Sequence, residues 1–277
     1  MKQIILDNFL IGGDAPFVLI AGPCVIEDEQ ETREIARFVK DLARRLEMPF
    51  IFKASYDKAN RSSLSSFRGP GFKEGLSILG KIKEELHVPI LSDVHRFEEI
   101  EEACGVLDVV QVPAFLCRQT DFVVEVARKA RIINVKKGQF LSPWEVGNVI
   151  KKAASAGNGN IMITERGTSF GYNNLVVDFR SFPIIREMGY PLIFDGTHSV
   201  QLPGGAGTTS GGRRDMVPYL CRAAVAAGVD GIFLEVHPDP ERALCDGPNS
   251  LYLSSLYDLL STLKSIDRLV KGQGCRM

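Results

Sequence analysis

The segment Pro49–Pro70 reads PFIFKASYDKANRSSLSSFRGP, and its pattern is that of a β-strand followed by a polar loop. Its start, Pro49–Phe52, is short, apolar and β-rich, and it stops abruptly at Lys53. Strands that are apolar throughout are typical of parallel sheets covered on both faces. Ligands of α/β folds bind at the carboxyl ends of such strands. The segment therefore predicts one unit of a parallel α/β fold, with a cationic ligand site where its strand ends.

The same pattern recurs along the chain. Similar apolar runs are Phe17–Ala21, Val88–Leu91, Val109–Val112, Ile132–Val135, Ile161–Ile163, Leu192–Phe194 and Ile232–Leu234. Amphipathic stretches lie between most of them, and Glu31–Leu46 is the clearest, with apolar residues at a helical period. Eight strand-and-helix units in 277 residues predict an α/β fold of the closed (β/α)8 TIM-barrel type, as one domain spanning residues 1–277.

Two further features bear on the fold prediction. A doubly wound open sheet is the alternative, but the glycine fingerprint expected after its first strand is absent. The leading segment Gln3–Gly12 contains two short apolar runs, IILDN and FLIGG, separated by nothing longer than a turn. We expect it to form a short N-terminal hairpin that caps the barrel bottom.

Composition limits the function classes. The net charge is −1, which gives no basis for bulk attraction to nucleic acid or to an anionic membrane. The N-terminus lacks the apolar core of a signal peptide, and no apolar run approaches the length that spans a bilayer. The six cysteines are scattered without CxxC spacing, which favours a reduced, cytoplasmic protein.

Ionisable or polar residues follow every predicted strand, and in a barrel these strand ends surround one mouth. One from each strand end is Cys24, Lys53, Asp93, Gln111, Lys136, Arg166, Asp195 and Glu235. Burying such groups is costly unless a ligand compensates them, so the pattern favours an enzyme over a non-catalytic binding module. A cationic wall comprises Lys53, Lys58, Arg61, Lys136 and Arg166. It predicts binding of two phosphate or carboxylate groups.

A second subset has metal-ligating character. Cys24, His198, Glu235 and Asp246 follow the first, seventh and eighth predicted strands, which are neighbours in a closed barrel. Thiolate, imidazole and carboxylate together suit a divalent transition metal. Spacing alone leaves His237 and Asp195 as alternative ligands. The glycine-rich segment Leu202–Arg214 fits a lid, a phosphate cradle or a plain surface loop.

Several motifs together resemble a known family. KASYDKANRSS with FRGPG, and also AGPCVIE, SDVH, QVPAFLCRQTD, NVKKGQFLSPW, ERGTSFGYNNLVVD, FDGTHSVQ, SGGRRD, EVHPDP and CDGPNS, are similar to motifs of the 3-deoxy-D-manno-octulosonate 8-phosphate synthases. The resemblance runs from about Phe17 to Lys271. The related 3-deoxy-heptulosonate 7-phosphate synthases, which use erythrose 4-phosphate, are the alternative. They usually carry a KPRTS-type motif where this chain has KANRSS.

The resemblance implies an activity and its residues. Members of that family join phosphoenolpyruvate to D-arabinose 5-phosphate with water and release phosphate, in lipopolysaccharide biosynthesis, and they are usually homotetramers. By motif, the phosphoenolpyruvate residues are Lys53, Lys58, Gln111, Lys136 and Arg166. The arabinose 5-phosphate residues are Asn60, Arg61 and Ser62, with Arg118 from the neighbouring subunit. The implied catalytic residues are Lys58, Asp93 and His198.

Cys24 implies a subtype within this family. Metal-dependent members carry Cys at this position and metal-independent members carry Asn, so the resemblance is to the metal-dependent branch. It selects Cys24, His198, Glu235 and Asp246 as ligands and leaves His237 and Asp195 outside the ligand set. The implied cofactor is a divalent transition metal, either Fe, Zn, Mn or Co.

Overall fold

Eight parallel strands close into a barrel in the computed structural model, which describes residues 1–60, 63–205 and 210–272. Numbered along the chain, a leading pair is β1 (Ile4–Leu6) and β2 (Phe9–Ile11). The barrel strands are β3 (Val18–Gly22), β4 (Phe50–Lys53), β5 (Ile90–Asp93), β6 (Val109–Val112), β7 (Ile132–Lys136), β8 (Ile161–Glu165), β11 (Leu192–Asp195) and β14 (Gly231–His237). Short strands in the loops are β9 (Thr168–Ser169), β10 (Leu175–Val176), β12 (Gln201–Leu202), β13 (Gly211–Gly212) and β15 (Leu251–Tyr252).

Helices alternate with the barrel strands along the chain. They are α1 (Glu29–Arg45), α2 (Phe72–Leu86), α3 (Phe97–Val106), α4 (Thr120–Lys129), α5 (Val146–Ser155), α6 (Ser181–Glu187), α7 (Val217–Ala226) and α8 (Leu256–Lys271). None of the helices in the described ranges combines the length and apolar character that crossing a bilayer requires.

The closure of the barrel rests on β14. It pairs in parallel with β3, where Gly231 is opposite Val18, and with β11, where Gly231 is opposite Ile193. Because β14 joins the first and seventh barrel strands, the eight barrel strands form a closed ring. The predicted (β/α)8 barrel is confirmed, and the doubly wound open sheet is excluded.

Strand alternation divides the barrel interior into an apolar layer and a polar layer. The lower interior residues form one buried apolar cluster that includes Ile51, Leu91, Ile193 and Phe233. Since side chains alternate along a strand, the next inward position lies two residues later, nearer the carboxyl end. Those positions hold Lys53, Asp93, Gln111, Asn134, Thr164, Asp195 and Glu235. The period of two therefore brings the polar strand residues together at one mouth.

The N-terminal hairpin lies at the other end of the barrel. β1 and β2 pair antiparallel, and the buried side chains of Ile4, Leu6 and Ile11 pack into the apolar cluster of the lower interior. The cluster also contains Val18, the first residue of β3. The hairpin thus closes the amino-terminal end of the barrel, as expected from the sequence.

Candidate active site

A cavity opens at the carboxyl ends of the barrel strands. It encloses ≈ 1000 Å³ of empty space, including its open mouth. Both predicted subsets contribute to its lining, with Lys53, Lys58, Asn60, Asp93, Gln111, Lys136, Arg166, His198, Glu235 and Asp246. Arg118 is exposed and does not belong to this lining. Arg61, Ser62 and positions 206–209 of the predicted lid lie outside the described residues.

Lys53 is a buried cation that is already paired. Its Nζ lies 2.6 Å from Glu235 Oε1 and donates to the carbonyl oxygens of Pro23 and Cys24, at 3.3 and 2.9 Å. The side chains of Lys53 and Glu235 are 1% and 0% exposed, so each charge depends on the other for compensation. Lys53 therefore neutralises Glu235 and joins the ends of three strands.

Lys58 is a cation with more freedom to bind a ligand. Its Nζ is 3.9 Å from Glu235 Oε1, which is too far for a hydrogen bond. Burial alone would lower the pKa of Lys58, but nearby acidic groups, Glu235 and Asp93 among them, outweigh burial and hold the pKa well above its usual value. The ammonium group stays protonated and can accept an anionic partner from the cavity.

Arg166, which follows β8, is a second member of the cationic wall that can bind a ligand. Its Nη2 donates to Gln201 Oε1 at 2.9 Å, whereas its buried Nη1 has no hydrogen-bond partner among the described residues. Burial is the largest cause of its lowered pKa. A buried guanidinium nitrogen without a partner is costly, and an anion in the cavity would satisfy it.

Lys136, Asp195 and His198 form a chain of contacts at the ends of β7 and β11. Asp195 Oδ2 lies 2.6 Å from Lys136 Nζ and 2.7 Å from His198 Nδ1. Burial alone would raise the pKa of Asp195, but His198 and Lys136 hold it well below its usual value. The carboxylate fixes the orientation of the imidazole, as residues behind metal-binding histidines commonly do. Nε2 of His198 is left facing Glu235 Oε2 at 3.5 Å.

The metal-ligating candidates form two groups that share Asp246. The donor atoms of His198, Glu235 and Asp246 lie within 4.8 Å of one another, and so do those of Cys24, Cys245 and Asp246. Glu235 Oε2 is buried and has no hydrogen-bond partner among the described residues. A carboxylate oxygen in that position, next to an imidazole nitrogen and a second carboxylate, fits a divalent cation.

The two alternative ligands occupy other places. Asp195 lies behind His198, as described above. His237 lies with Glu27 and Glu31, and its Nε2 is 3.9 and 3.7 Å from their carboxylates. Its Nδ1 accepts a hydrogen bond from the Asp239 backbone N–H at 3.1 Å. His237 therefore belongs to a separate group with Glu27 and Glu31, whose ligand atoms lie within 4.8 Å of its own.

Asp93 is held by two residues that the sequence argument did not assign. Ser55 Oγ donates to its Oδ1 at 2.7 Å, and His95 Nε2 contacts its Oδ2 at 2.9 Å. Burial opposes ionisation of Asp93, but His95 and Lys58 hold its pKa well below the usual value. The carboxylate at the cavity wall is therefore ionised and fixed in orientation.

Gln201 is a further residue that the sequence argument missed. It accepts from Arg166 and donates to Asp246 Oδ1 at 3.2 Å, so it connects the cationic wall with the metal-ligating group. It lies in the loop after β11, where no periodic pattern marks it. The contact could be found only from the folded structure.

Two other polar residues near the mouth have structural partners. Asn134, inside β7, donates to Gln111 Oε1 at 2.9 Å in the barrel interior. Only the inward alternation of strand residues could have indicated Asn134. Arg68, the last cation of the opening segment, is paired with Asp57 through two nitrogens. Arg68 is therefore occupied within the loop itself.

Comparison with known proteins identifies close relatives. The model of the DAHP synthetase I family matches residues 2–272. A protein of Geotalea daltonii named 2-dehydro-3-deoxyphosphooctonate aldolase is 63% identical over 271 residues, which are 98% of this chain and 100% of the relative. Relatives with the same name are 58% identical in Geobacter sulfurreducens, over 98% of this chain and 99% of the relative, and 63% identical in Desulfosudis oleivorans, over 98% and 97%. That name denotes a 3-deoxy-D-manno-octulosonate 8-phosphate synthase, so the resemblance seen in the motifs is confirmed.

Proposed function

This chain belongs to the DAHP synthetase I family, and from that premise we propose the reaction it catalyses. It condenses phosphoenolpyruvate with D-arabinose 5-phosphate and water, giving 3-deoxy-D-manno-octulosonate 8-phosphate and inorganic phosphate. The observation that carries this assignment is the 58–63% identity, over nearly the whole chain, to relatives named for the octonate product. Those relatives do not favour the heptulosonate alternative.

In this proposal, phosphoenolpyruvate binds against the cationic wall. Lys58, Lys136 and Arg166 bind its phosphate and carboxylate, and Gln111 lies close by. The charge of Lys58 and the unpartnered Nη1 of Arg166 support this arrangement, since both groups line the cavity without a matching anion at hydrogen-bond distance among the described residues. Lys53 acts mainly through Glu235, because its ammonium group is already paired there.

Arabinose 5-phosphate binds at the outer part of the mouth in the same proposal. Asn60 lines the cavity and is exposed, which leaves its amide available to a sugar. Arg61 and Ser62, its neighbours in sequence, complete this group. Arg118 is exposed and outside the cavity of its own chain, a location compatible with reaching the sugar phosphate in a neighbouring subunit of a homotetramer.

The chemistry follows from bringing the two substrates together. The cations offset the repulsion between two phosphorylated molecules and hold the reacting carbons in near-attack geometry. The methylene carbon of phosphoenolpyruvate attacks the aldehyde, while its phosphate-bearing carbon becomes electrophilic and takes up water. The tetrahedral intermediate then expels phosphate by cleavage of the C–O bond. Lys58 offsets charge near the reacting oxygens as an ammonium group, and Asp93 lies beside it as an ionised carboxylate. His198 acts in this step as a holder of the metal, oriented by Asp195.

A divalent transition metal, Fe, Zn, Mn or Co, is part of this proposal. Cys24, His198, Glu235 and Asp246 would hold it, and Asp195 would keep the imidazole of His198 turned toward it. When bound, such an ion supplies Lewis-acid polarisation of the aldehyde or orientation of the water. The cationic side chains of the mouth bind the anionic groups of the substrates. Asp195 contacts His198 and Lys53 contacts Glu235, so each balances the charge of one metal ligand.

The wider setting is proposed on the same basis. We place the enzyme in the cytoplasm, as one barrel domain over residues 1–277, acting on small phosphorylated substrates without a nucleic-acid or membrane partner.

The decisive assay measures phosphate release from phosphoenolpyruvate in the presence of arabinose 5-phosphate or erythrose 4-phosphate. Release with arabinose 5-phosphate at a much higher kcat/KM supports the proposal, and preference for erythrose 4-phosphate would identify a heptulosonate synthase instead. Trapping of a lysine by borohydride in the presence of substrate would indicate a Schiff-base aldolase.

A further inference from the structure

The proposed set of metal ligands leaves out one potential donor near the site, the thiol of Cys245. It immediately precedes Asp246 in the loop between β14 and β15, and it is only 2% exposed. Its Sγ lies 2.7 Å from Sγ of Cys24, which is itself 4% exposed. Two buried thiols therefore stand together beside the Asp246 carboxylate.

The loop backbone is arranged to present both residues to the same point. Asp246 has φ of 49°, in the left-handed region, where non-glycine residues are uncommon. Its carbonyl accepts hydrogen bonds from the backbone N–H groups of Asn249 and Ser250, each at 3.0 Å. On the N-terminal side, Leu244 N–H donates to Glu27 Oε1 at 2.8 Å. The unusual conformation is thus held from both sides, as is common at functional sites.

The chemistry of the two donor groups differs. Cys24, Cys245 and Asp246 offer two sulfurs and one oxygen, whereas His198, Glu235 and Asp246 offer one nitrogen and two oxygens. Soft ions favour thiolates, and harder ions such as Mn²⁺ favour carboxylates. We infer that Cys245 is a fifth protein donor of this metal centre and gives it a second, thiolate-rich binding mode for soft divalent ions. This inference rests on the proposed metal site, which it deepens.

The distances are compatible with that mode after a small side-chain movement. Two thiolates on one tetrahedral zinc ion lie roughly 3.7 Å apart when each Zn–S bond is about 2.3 Å. The sulfurs, at 2.7 Å, must separate by about 1 Å to reach that spacing. A disulfide would instead require them to approach to about 2.05 Å. It is the competing explanation of the short distance, and the experiment must separate the two.

Cadmium is a suitable probe, because its thiolate charge-transfer absorbance in the ultraviolet reports the number of bound sulfurs without any activity measurement. Reduced, chelator-treated full-length protein is titrated with Cd²⁺ in wild-type form and as Cys24→Ser, Cys245→Ser and Cys104→Ser. Cys104 lies on α3 and serves as the matched control. We expect one ion per chain throughout, with the absorbance per ion reduced to about half in either site variant and unchanged in Cys104→Ser. Cys245→Ser should also weaken Cd²⁺ binding far more than Mn²⁺ binding.

The possible failures are distinguishable. Equal absorbance per ion in wild type and Cys245→Ser overturns the inference and leaves the proposed four-ligand site intact. Absence of Cd²⁺ binding in the wild type contradicts the proposed metal site as well. A Cys24–Cys245 disulfide that persists under reductant would appear as two fewer titratable thiols in the wild type, and Cys245→Ser would change that count. This result overturns the inference in favour of a disulfide.

Discussion

Glu235 connects the two halves of the site, because each of its carboxylate oxygens faces a different kind of partner. Oε1 accepts from Lys53 at 2.6 Å, whereas buried Oε2 faces His198 Nε2 at 3.5 Å. Burial alone would raise the pKa of Glu235, but His198, Lys53 and Lys58 lower it, so the group is ionised. One residue therefore couples the charge of the cationic wall to the metal-ligating group.

Removing the charge of Lys53 should test this coupling through stability. Lys53→Met leaves the Glu235 carboxylate buried without its partner, and we expect the free energy of unfolding to fall by about 3 kcal/mol or more. Lys73→Met is the control, since the Lys73–Glu102 ion pair is exposed and should be worth less than about 1 kcal/mol. Denaturant unfolding measures both. Equal losses of unfolding free energy in the two variants would show that the buried Lys53–Glu235 pair contributes no more to stability than an exposed pair.

Cys24 should determine the metal requirement. In Cys24→Asn we expect a folded protein that binds less metal and shows some metal-independent turnover, because the amide is a poorer ligand than a thiolate. Metal content per chain and activity after chelation are the measurements, with Cys104→Ser as control. Unchanged metal content in Cys24→Asn would show that this thiol is not a ligand.

Lys136 should set the alkaline limit of substrate binding. Burial lowers its pKa, although Asp195 opposes the effect, so the ammonium loses its proton at lower pH than an ordinary lysine. Between the pKa of Lys136 in the folded chain and its higher pKa in the unfolded chain, the unfolded chain binds more protons. The free energy of unfolding therefore rises with pH in this range, whereas anion binding at Lys136 falls. Lys58, whose pKa is raised, keeps its charge to higher pH.

The pH dependence of kcat/KM for phosphoenolpyruvate tests this assignment, since it reports groups of the free enzyme. Lys136→Arg retains a cation at all accessible pH values, and we expect its alkaline limb to move to higher pH. Lys129→Arg, on the outside of α4, should leave the profile unchanged. An alkaline limb at the same pH in Lys136→Arg and wild type would exclude Lys136 as its cause.

At the scale of elements, the strands and their order could be predicted because short apolar runs alternate with helical periods. The observed strands extend beyond the apolar runs and include Lys53, Asp93, Lys136 and Asp195. These polar residues can lie in the sheet because other charged groups at the barrel mouth compensate their charges. A local sequence pattern does not reveal that compensation. Helix α3 has the weaker pattern in the sequence, since it buries only Glu99, Ile100 and Ala103, and the Glu99 carboxylate accepts a hydrogen bond from the Tyr56 hydroxyl.

The hairpin provides a stability prediction at this scale. Leu6 is 0% exposed in the lower barrel interior, and Leu6→Ala should lower the free energy of unfolding by about 3 kcal/mol. Ile5, in the same strand, is 68% exposed, and Ile5→Ala should change it by less than about 0.5 kcal/mol. Thermal or denaturant unfolding compares the pair. Equal effects would mean that the hairpin does not close the barrel as described.

At the scale of the whole molecule, the site required the closed barrel to be understood. The motifs indicated most of the lining residues, because each follows an apolar run that ends at the mouth. Ser55, Gln201 and Cys245 were not assigned, since their roles depend on contacts between loops that are distant in sequence. A sequence pattern indicates which residues reach the mouth, whereas the three-dimensional structure shows which of them touch.

The most direct test of the proposed reaction is mass analysis of products from phosphoenolpyruvate labelled with heavy oxygen at the bridging position. The metal-reconstituted enzyme is supplied with this substrate and arabinose 5-phosphate. We expect an eight-carbon sugar acid phosphate without label, and all of the label in the released phosphate. A product that retains the bridging label, or phosphate release without an eight-carbon product, would contradict it.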